Sequence, residues 1–257
     1  MNSTPTLSHA PLTGAQVTTL HDRLLGTSGW PASESALAPV PGHGALPARL
    51  QALWQAVATN HRFNARLWAE EDLARRTQVA DAEIAANKRA IDRYNQARND
   101  ATERVDEILL VELGLVDEAS ARTDAPISRA PTQARLNSET AGSMVDRLSI
   151  LALKLRAMRD QAGRTDVDEA HRALSRTRLA QLERQRGDLA GCLDALLQDA
   201  LAGRATFKVY RQFKMYNDAR FNPVLQAEQR IRTPSPATGT GAMPPEAPLA
   251  GKGHSPS

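Results

Sequence analysis

The chain has 257 residues, of which 41% are hydrophobic and 24% are charged, and its formal net charge at pH 7 is +3. This length allows one domain of ordinary size or two small ones, and so small a positive excess argues against a nucleic-acid polymer as partner. No apolar stretch is long enough to cross a bilayer, and the N-terminus lacks the pattern of a secretion signal.

The single cysteine, Cys192, rules out an internal disulfide and a cysteine-rich zinc site, so we expect a reducing, cytoplasmic location. Aromatic residues make up only 4% of the chain, whereas Ala, Leu, Arg, Glu and Gln are abundant, which favours helices. No segment alternates apolar and polar residues over several positions, so a sheet is not expected. The sequence predicts an all-α, single-domain helical bundle over residues 12–228, with disordered tails at 1–11 and 229–257.

About five helices are predicted from apolar spacing and from the residues that start and stop helices. They are expected at 13–25, 47–76, 81–113, 143–162 and from about 165 to 202. Ser143 and Asp146 are spaced as in a capping box at the start of the fourth helix. Cys192 falls on the apolar seam of the fifth helix and is expected in the core. The stretch 204–222 is expected to form a short helix or an irregular arm.

Two of the predicted helices carry polar residues where an apolar seam would be expected. On the second helix the seam begins with apolar residues and then becomes polar, at His61, Asn64, Glu71, Asp72 and Arg75, with Trp68 among them. On the third helix, Lys88, Asp92, Asn95, Asn99, Glu103 and Asp106 share an arc of roughly 80°. Polar groups that are buried between helices need hydrogen-bonding partners. These two faces therefore predict either a network that locks the helices together or a cleft that binds a ligand.

Carboxylates on the same two helices raise a further possibility, a hard divalent cation such as Mg²⁺. Glu71, Asp72, Asp92, Asp100, Glu103 and Asp106 are the candidates. The spacing of Glu103 and Asp106 resembles one half of the metal site of helical nucleotide pyrophosphohydrolases. The second helix, however, has Ala74 and Arg75 where a second acidic ligand would be needed.

The segment 208–218 interleaves basic and aromatic residues: Lys208, Arg211 and Lys214 with Tyr210, Phe213 and Tyr216. Basic side chains can hold phosphate, and aromatic rings can stack on a base or a sugar. The alternative is that the aromatic residues anchor this arm on the bundle while the charges face solvent.

Four blocks of this sequence, taken together, resemble the DUF4254 family of bacterial proteins of unknown function. The blocks are His61, Asn64, Leu67, Trp68, Glu71, Asp72, Ala74 and Arg75; then Lys88–Asp92, Asn95, Gln96 and Arg98–Asp100; then Glu139, Thr140, Gly142–Met144 and Asp146–Leu151; and last Tyr210–Asp218 with Asn222 and Pro223. Ala141 stands where the family is expected to carry proline. The resemblance implies a compact helical protein. Because members of the family are often encoded near glycosyltransferases, it also implies a place in cell-surface polysaccharide metabolism, but it implies no established activity.

The working hypothesis is that a polar cleft between the second and third helices, closed over by the segments 139–146 and 208–218, binds a small anionic or sugar-phosphate ligand and either releases it unchanged or turns it over. Glu71, Asp72 and Asp92 are the candidates for a catalytic base or metal ligand. The candidate ligand-binding residues are His61, Asn64, Trp68, Arg75, Lys88, Asn95, Gln96, Arg98, Asn99, Asp100, Glu139, Asp146, Arg147, Tyr210, Arg211, Lys214 and Asn217. Two alternatives stay open: a non-catalytic module that docks onto a partner enzyme, and a Mg-dependent pyrophosphohydrolase.

Overall fold

The computed structural model describes residues 9–32, 46–212, 215 and 218–232. Six helices and two short strands occur there: α1 (Gly14–Leu25), α2 (Ala48–Leu73), α3 (Asp81–Glu112), β1 (Arg135–Leu136), α4 (Ala141–Ala162), α5 (Glu169–Leu201), β2 (Ala205–Thr206) and α6 (Pro223–Arg232). The all-α expectation is confirmed. The chain divides into two compact units, residues 1–211, which contain α1 to α5 and both strands, and residues 212–257, which contain α6.

The core of the first unit is built from one apolar stripe of each long helix. Its fully buried side chains include Leu20, Leu24, Leu53, Val57, Leu109, Leu148, Leu193 and Leu197, together with Phe207 from the segment after β2. Each such side chain stabilises the fold by roughly 1.5–3 kcal/mol relative to an exposed one. The helices are therefore held by ordinary apolar packing, and their polar faces are additional features.

The start of α4 differs from the sequence prediction. The N-cap is Thr140, whose hydroxyl accepts a hydrogen bond from the backbone N–H of Ser143, so the helix begins two residues earlier than expected. Ser143 and Asp146 do not form the predicted capping box. Because Thr140 satisfies the helix end, the Asp146 carboxylate is available to the interior of the bundle.

Two smaller differences concern the region around α5. The strands pair in parallel, with Arg135 opposite Ala205; a two-residue strand is too short to produce a periodic pattern, which explains why no sheet was predicted. The segment after β2 is irregular up to residue 212, which agrees with the second of the two alternatives predicted for 204–222, an irregular arm. Cys192 is exposed and so is not the predicted core residue, since the buried seam of α5 runs through Leu189, Leu193 and Leu196 instead.

The helices α3 and α4 approach each other unusually closely at Gly142. A Cβ atom on this glycine would lie 2.5 Å from the Thr102 carbonyl oxygen and 2.9 Å from the carboxyl carbon of Asp106. Its backbone N–H donates a hydrogen bond to Asp106 Oδ1 at 2.6 Å. Only glycine fits here, and the contact fixes where α4 crosses α3.

None of the helices in the described part of the chain is both long enough and apolar enough to pass through a membrane.

Candidate ligand-binding cleft

A hydrogen-bonded network joins α2, α3 and α4, and its centre is the carboxylate of Asp146. The amide nitrogens of Asn60 and Asn64 on α2 each donate to Asp146 Oδ1 at 2.8 Å. Asn60 also donates to the Thr102 hydroxyl on α3 at 3.1 Å, and the Asn64 amide lies 3.0 Å from the Ser149 hydroxyl on α4. Both asparagines are buried, so these bonds fix the distance between the three helices.

Arg98 stands at the edge of this network. Its Nη2 donates to Asn99 Oδ1 at 3.1 Å, and its Nε lies 4.0 Å from Asp146 Oδ1. The Nε atom is buried and has no hydrogen-bond partner within the described residues. About a quarter of the side chain, 26%, is exposed. The exposed part of the guanidinium can therefore donate to an acceptor that enters from solvent.

Beside Arg98, an open cleft of about 330 Å³ lies between α2, α3 and α4. Its polar and aromatic lining consists of Asn64, Trp68, Glu71, Asp72, Arg75, Asn95 and Arg98. Leu67, Ile150 and Leu153 supply the apolar part of the wall. Seven of the predicted site residues thus share one concavity, whose third wall comes from Ile150 and Leu153 of α4, which were not among the predicted site residues.

The charges in the cleft are mixed. Arg75 donates to Glu71 Oε2 at 2.8 Å, one helical turn away, and both side chains are largely exposed. Asp72 and Arg98 add one charge of each sign. Two arginines, two acids, two amides and one indole can together hold hydroxyl groups and a single anionic group. They are less suited to a polyphosphate, which the two carboxylates would repel.

His61 lies behind the cleft and does not line it. Its ring stacks on His21, with ring centroids 4.4 Å apart, and on Trp30, and its Nδ1 is 2.8 Å from the Ser149 hydroxyl. Burial lowers the pKa of His61 to about 4 and also lowers the pKa of His21, so both rings are neutral at pH 7. The expected ligand-binding role of His61 is therefore replaced by packing and by support of Ser149. The stacking partners, His21 and Trp30, gave no signal in the sequence.

Four predicted residues of α3 lie away from the cleft. Lys88 and Asp92 form an exposed ion pair at 3.0 Å, and Gln96 donates to Asp100 at 2.6 Å. At 100° per residue, Asp92, Gln96 and Asp100 lie roughly 100°, 140° and 180° from the buried Ile91, so the row turns progressively toward solvent. Asp92 is not part of the cleft and cannot serve there as base or metal ligand. Asn99, by contrast, is buried against Arg98.

The remaining predicted residues are divided among other places. Glu139 and Arg147 pair with each other at a separate cavity between α4 and α5. Tyr210 is 55% exposed. Lys214 and Asn217 lie outside the described residues. The predicted closure of the cleft by the segments 139–146 and 208–218 therefore has no support from Glu139, Arg147 or Tyr210.

Arg211 occupies a cluster of acids on another part of α3. Its Nη1 donates to Glu103 at 2.9 Å and to Glu107 at 2.6 Å, and its Nη2 donates to the carbonyl oxygens of Ala121 and Thr123, both at 3.1 Å. The side chains of Arg211 and Glu107 are 13% and 7% exposed. Arg211 is thus committed to internal partners and is not the phosphate ligand that the sequence predicted.

Replacement of Arg211 with alanine should lower the free energy of unfolding by about 2 kcal/mol. This is less than the roughly 3–5 kcal/mol for breaking a buried ion pair, because Glu107 keeps Arg104 at 2.8 Å and Arg122 at 3.8 Å. Urea unfolding measures the change. Arg204→Ala, which removes an exposed pair with Asp199, is the matched control and should cost under about 0.5 kcal/mol. Equal losses in the two variants would contradict the structural role of Arg211.

Comparison with known proteins adds one finding to this geometry. A family model described as "Protein of unknown function (DUF4254)" matches residues 54–209, which is more than half of the chain. The chain belongs to the DUF4254 family. No curated protein and no solved structure matches it.

The matched part of this DUF4254 protein contains every residue that lines the cleft, from Asn64 to Leu153, and also the Asp146 network. His21, Trp30 and Arg211 lie outside it. The network and the cleft are therefore built from the family segment alone, whereas the histidine stack and the acidic cluster also use flanking segments.

Among the residues that the structure describes in this DUF4254 protein, no three His, Cys, Asp or Glu side chains are grouped so that they could hold a metal ion. Glu103 is bound to Arg211, Asp106 is buried and Asp92 is on the surface. Magnesium dependence stays a prediction without a set of ligands in the described region.

Proposed function

We propose that the cleft between α2, α3 and α4 binds a small sugar ligand that carries one anionic group, such as a sugar phosphate. The observation that supports this proposal is the convergence of Arg75, Arg98, Asn95 and Trp68 on one concavity of about 330 Å³. This volume falls at the lower end of the range of about 300–1,000 Å³ found for small-molecule sites.

Each group has a role that follows from its chemistry. The guanidinium groups of Arg98 and Arg75 bind the anion, because planar donors match phosphate or carboxylate oxygens. The Trp68 indole offers an apolar face to the C–H side of a sugar ring. Asn64 and Asn95 bind hydroxyl groups, and the carboxylates of Glu71 and Asp72 accept hydrogen bonds from others. If the ligand is turned over, Glu71 or Asp72 is the available base.

The anion has to compete with Glu71 for Arg75. This pair is exposed and joins residues four apart on one helix, so it is worth only about 0.3–0.5 kcal/mol. A charge-assisted bond to a bound phosphate contributes roughly 1.5–3 kcal/mol. Exchange of the partner of Arg75 is therefore favourable, and it releases the Glu71 carboxylate toward the sugar.

Arg75→Gln should weaken binding of glucose 1-phosphate or N-acetylglucosamine 1-phosphate at least tenfold, because one charged donor to the phosphate is lost. Isothermal titration calorimetry with the full chain measures this. Lys88→Gln is the matched control: it also removes the cation of an exposed i,i+4 pair, but on α3 outside the cleft. Both variants should keep the stability of the wild type within about 0.5 kcal/mol.

Binding by wild type and by Lys88→Gln, together with loss in Arg75→Gln, supports the proposal. Absence of saturable binding to the sugar phosphates, or equal weakening in the two variants, would overturn it.

The partner-module alternative stays open. Exposed Phe221, Val224 and Ile231 in the second unit are the apolar side chains that such a role could use.

A further inference from the structure

The cleft has a neighbour across the Trp68 indole. A second open cavity, of about 320 Å³, lies against α2, α4 and α5, and Trp68 lines both concavities. Its floor is apolar and is formed by Ala157, Met158 and Leu182 beside the indole. We call it the apolar cavity. The cleft and the apolar cavity are therefore neighbours that share the Trp68 side chain as part of their walls.

Two cations flank this apolar floor, Lys154 from α4 and Arg178 from α5. Neither forms a hydrogen bond or an ion pair with any other part of the described chain, and no acid lines the apolar cavity there. This contrasts with most arginines of the protein, which are paired with acids. Unpaired cations beside an apolar surface attract an anion that is attached to a flat apolar group.

We propose, resting on the proposed function above, that the ligand is a nucleoside diphosphate sugar. The sugar lies in the cleft, the base lies on the apolar floor beside Trp68, and the diphosphate is held by Lys154 and Arg178. The two concavities together fall well inside the volume range of small-molecule sites. Aromatic and apolar side chains are a surface on which a base of any identity can stack.

The rim of the apolar cavity favours a compact base over a long lipid. Gln181, Gln185 and Lys154 close it with polar groups, so a prenyl chain would meet amides and an ammonium group after a short apolar floor. Their side chains can instead bind the polar edge of a base or the hydroxyls of a ribose.

The test is calorimetric titration of the full chain with UDP-glucose, UDP, glucose 1-phosphate and geranyl diphosphate. Lys154→Gln and Arg178→Gln should each weaken UDP and UDP-glucose at least tenfold and leave glucose 1-phosphate unchanged. Arg75→Gln should weaken glucose 1-phosphate, whose phosphate Arg75 binds in the cleft, and should leave UDP and UDP-glucose largely unchanged, because their diphosphate is held by Lys154 and Arg178. Arg184→Gln, an exposed cation roughly 120° away from Arg178 around α5, is the matched control and should change nothing.

The outcomes separate this proposal from the one on which it rests. If glucose 1-phosphate binds through Arg75 but UDP-glucose binds no more tightly and UDP not at all, the nucleotide assignment is overturned and the proposed function stands. If UDP binds through Lys154 and Arg178 while glucose 1-phosphate shows no binding that depends on Arg75, the proposed function is overturned. Tighter binding of geranyl diphosphate than of UDP would overturn the assignment of a base to the apolar cavity.

Discussion

Replacement of Asp146 with alanine should lower the free energy of unfolding by about 3–5 kcal/mol. The carboxylate accepts hydrogen bonds from two buried amides, Asn60 and Asn64, and bonds to a charged group contribute roughly 1.5–3 kcal/mol each. Without it, both amides keep weaker partners and Arg98 loses the nearest negative charge. For a domain of this size, the melting temperature should fall by roughly 10 °C.

Thermal and urea unfolding measure this loss. Asp160→Ala on the same helix is the matched control, because Asp160 makes an exposed pair with Arg156 and its removal should cost less than about 0.5 kcal/mol. Asp146→Asn keeps one acceptor oxygen and should fall between the two. A melting temperature of Asp146→Ala within 2 °C of the control would mean that the network does not hold α4 against α2 and α3.

Helical spacing explains why one wall of the cleft could be predicted from the sequence. Asn64, Trp68, Glu71 and Arg75 follow helical spacing on one segment, so any correct helix assignment places them side by side. Asn95 and Arg98 share a face of the next helix for the same reason. Periodicity of this kind is local and can be read from a single sequence.

The wrong predictions concern residues whose role depends on a partner from elsewhere in the chain. Asp146 has the spacing of a capping residue, but Thr140 caps the helix, and the carboxylate turns inward to amides more than eighty positions away. Arg211 looks like a phosphate ligand until Glu103 and Glu107 are found beside it. The sequence around Asp146 and Arg211 does not show which distant residues contact them, because an arginine in solvent and an arginine in an ion pair have the same local sequence.

Asp92 and His61 illustrate two further limits. The third helix carries polar residues around more than half of its circumference, so composition could not tell which row faces α4. Asp92 lies on the solvent side because its position around the axis of this 32-residue helix differs from that of the buried residues. His61 lies on the predicted stripe of α2, but its two stacking partners come from α1 and the segment after it.

Asp106 should make the protein less stable as the pH rises through neutrality. The residue is 3% exposed, and burial, with the nearby Glu103 and Glu107 carboxylates acting in the same direction, raises the pKa of its carboxyl group to about 7. Hydrogen bonds from Thr140 and from the Gly142 N–H oppose this shift but do not cancel it. The folded protein therefore keeps a proton on Asp106 at pH values where the unfolded chain has released it.

This proton stabilises the fold fully below the unfolded pKa of 3.8, and the benefit is lost as the pH rises through about 7. A shift of this size corresponds to about 4 kcal/mol at most. Asp106→Asn, which carries no charge at any pH, should be at least as stable as wild type at pH 8.5 and lose its relative advantage toward pH 5. The variant is compared with wild type at each pH, because neutral His21 and His61, whose pKa values are lowered by burial, act in the opposite direction: they weaken the fold as the pH falls below 6.5, and for His61, whose pKa is about 4, the loss continues to about pH 4.

Urea unfolding of both proteins at several pH values between 5 and 8.5 measures the difference. Asp100→Asn is the matched control, since it removes an exposed carboxyl group on the same helix that makes only a surface bond with Gln96. The charge would form at the close contact between Gly142 and Asp106, where the carboxyl group is buried from solvent. A difference between Asp106→Asn and wild type that stays constant over this pH range would show that the buried carboxyl group titrates as it would in water.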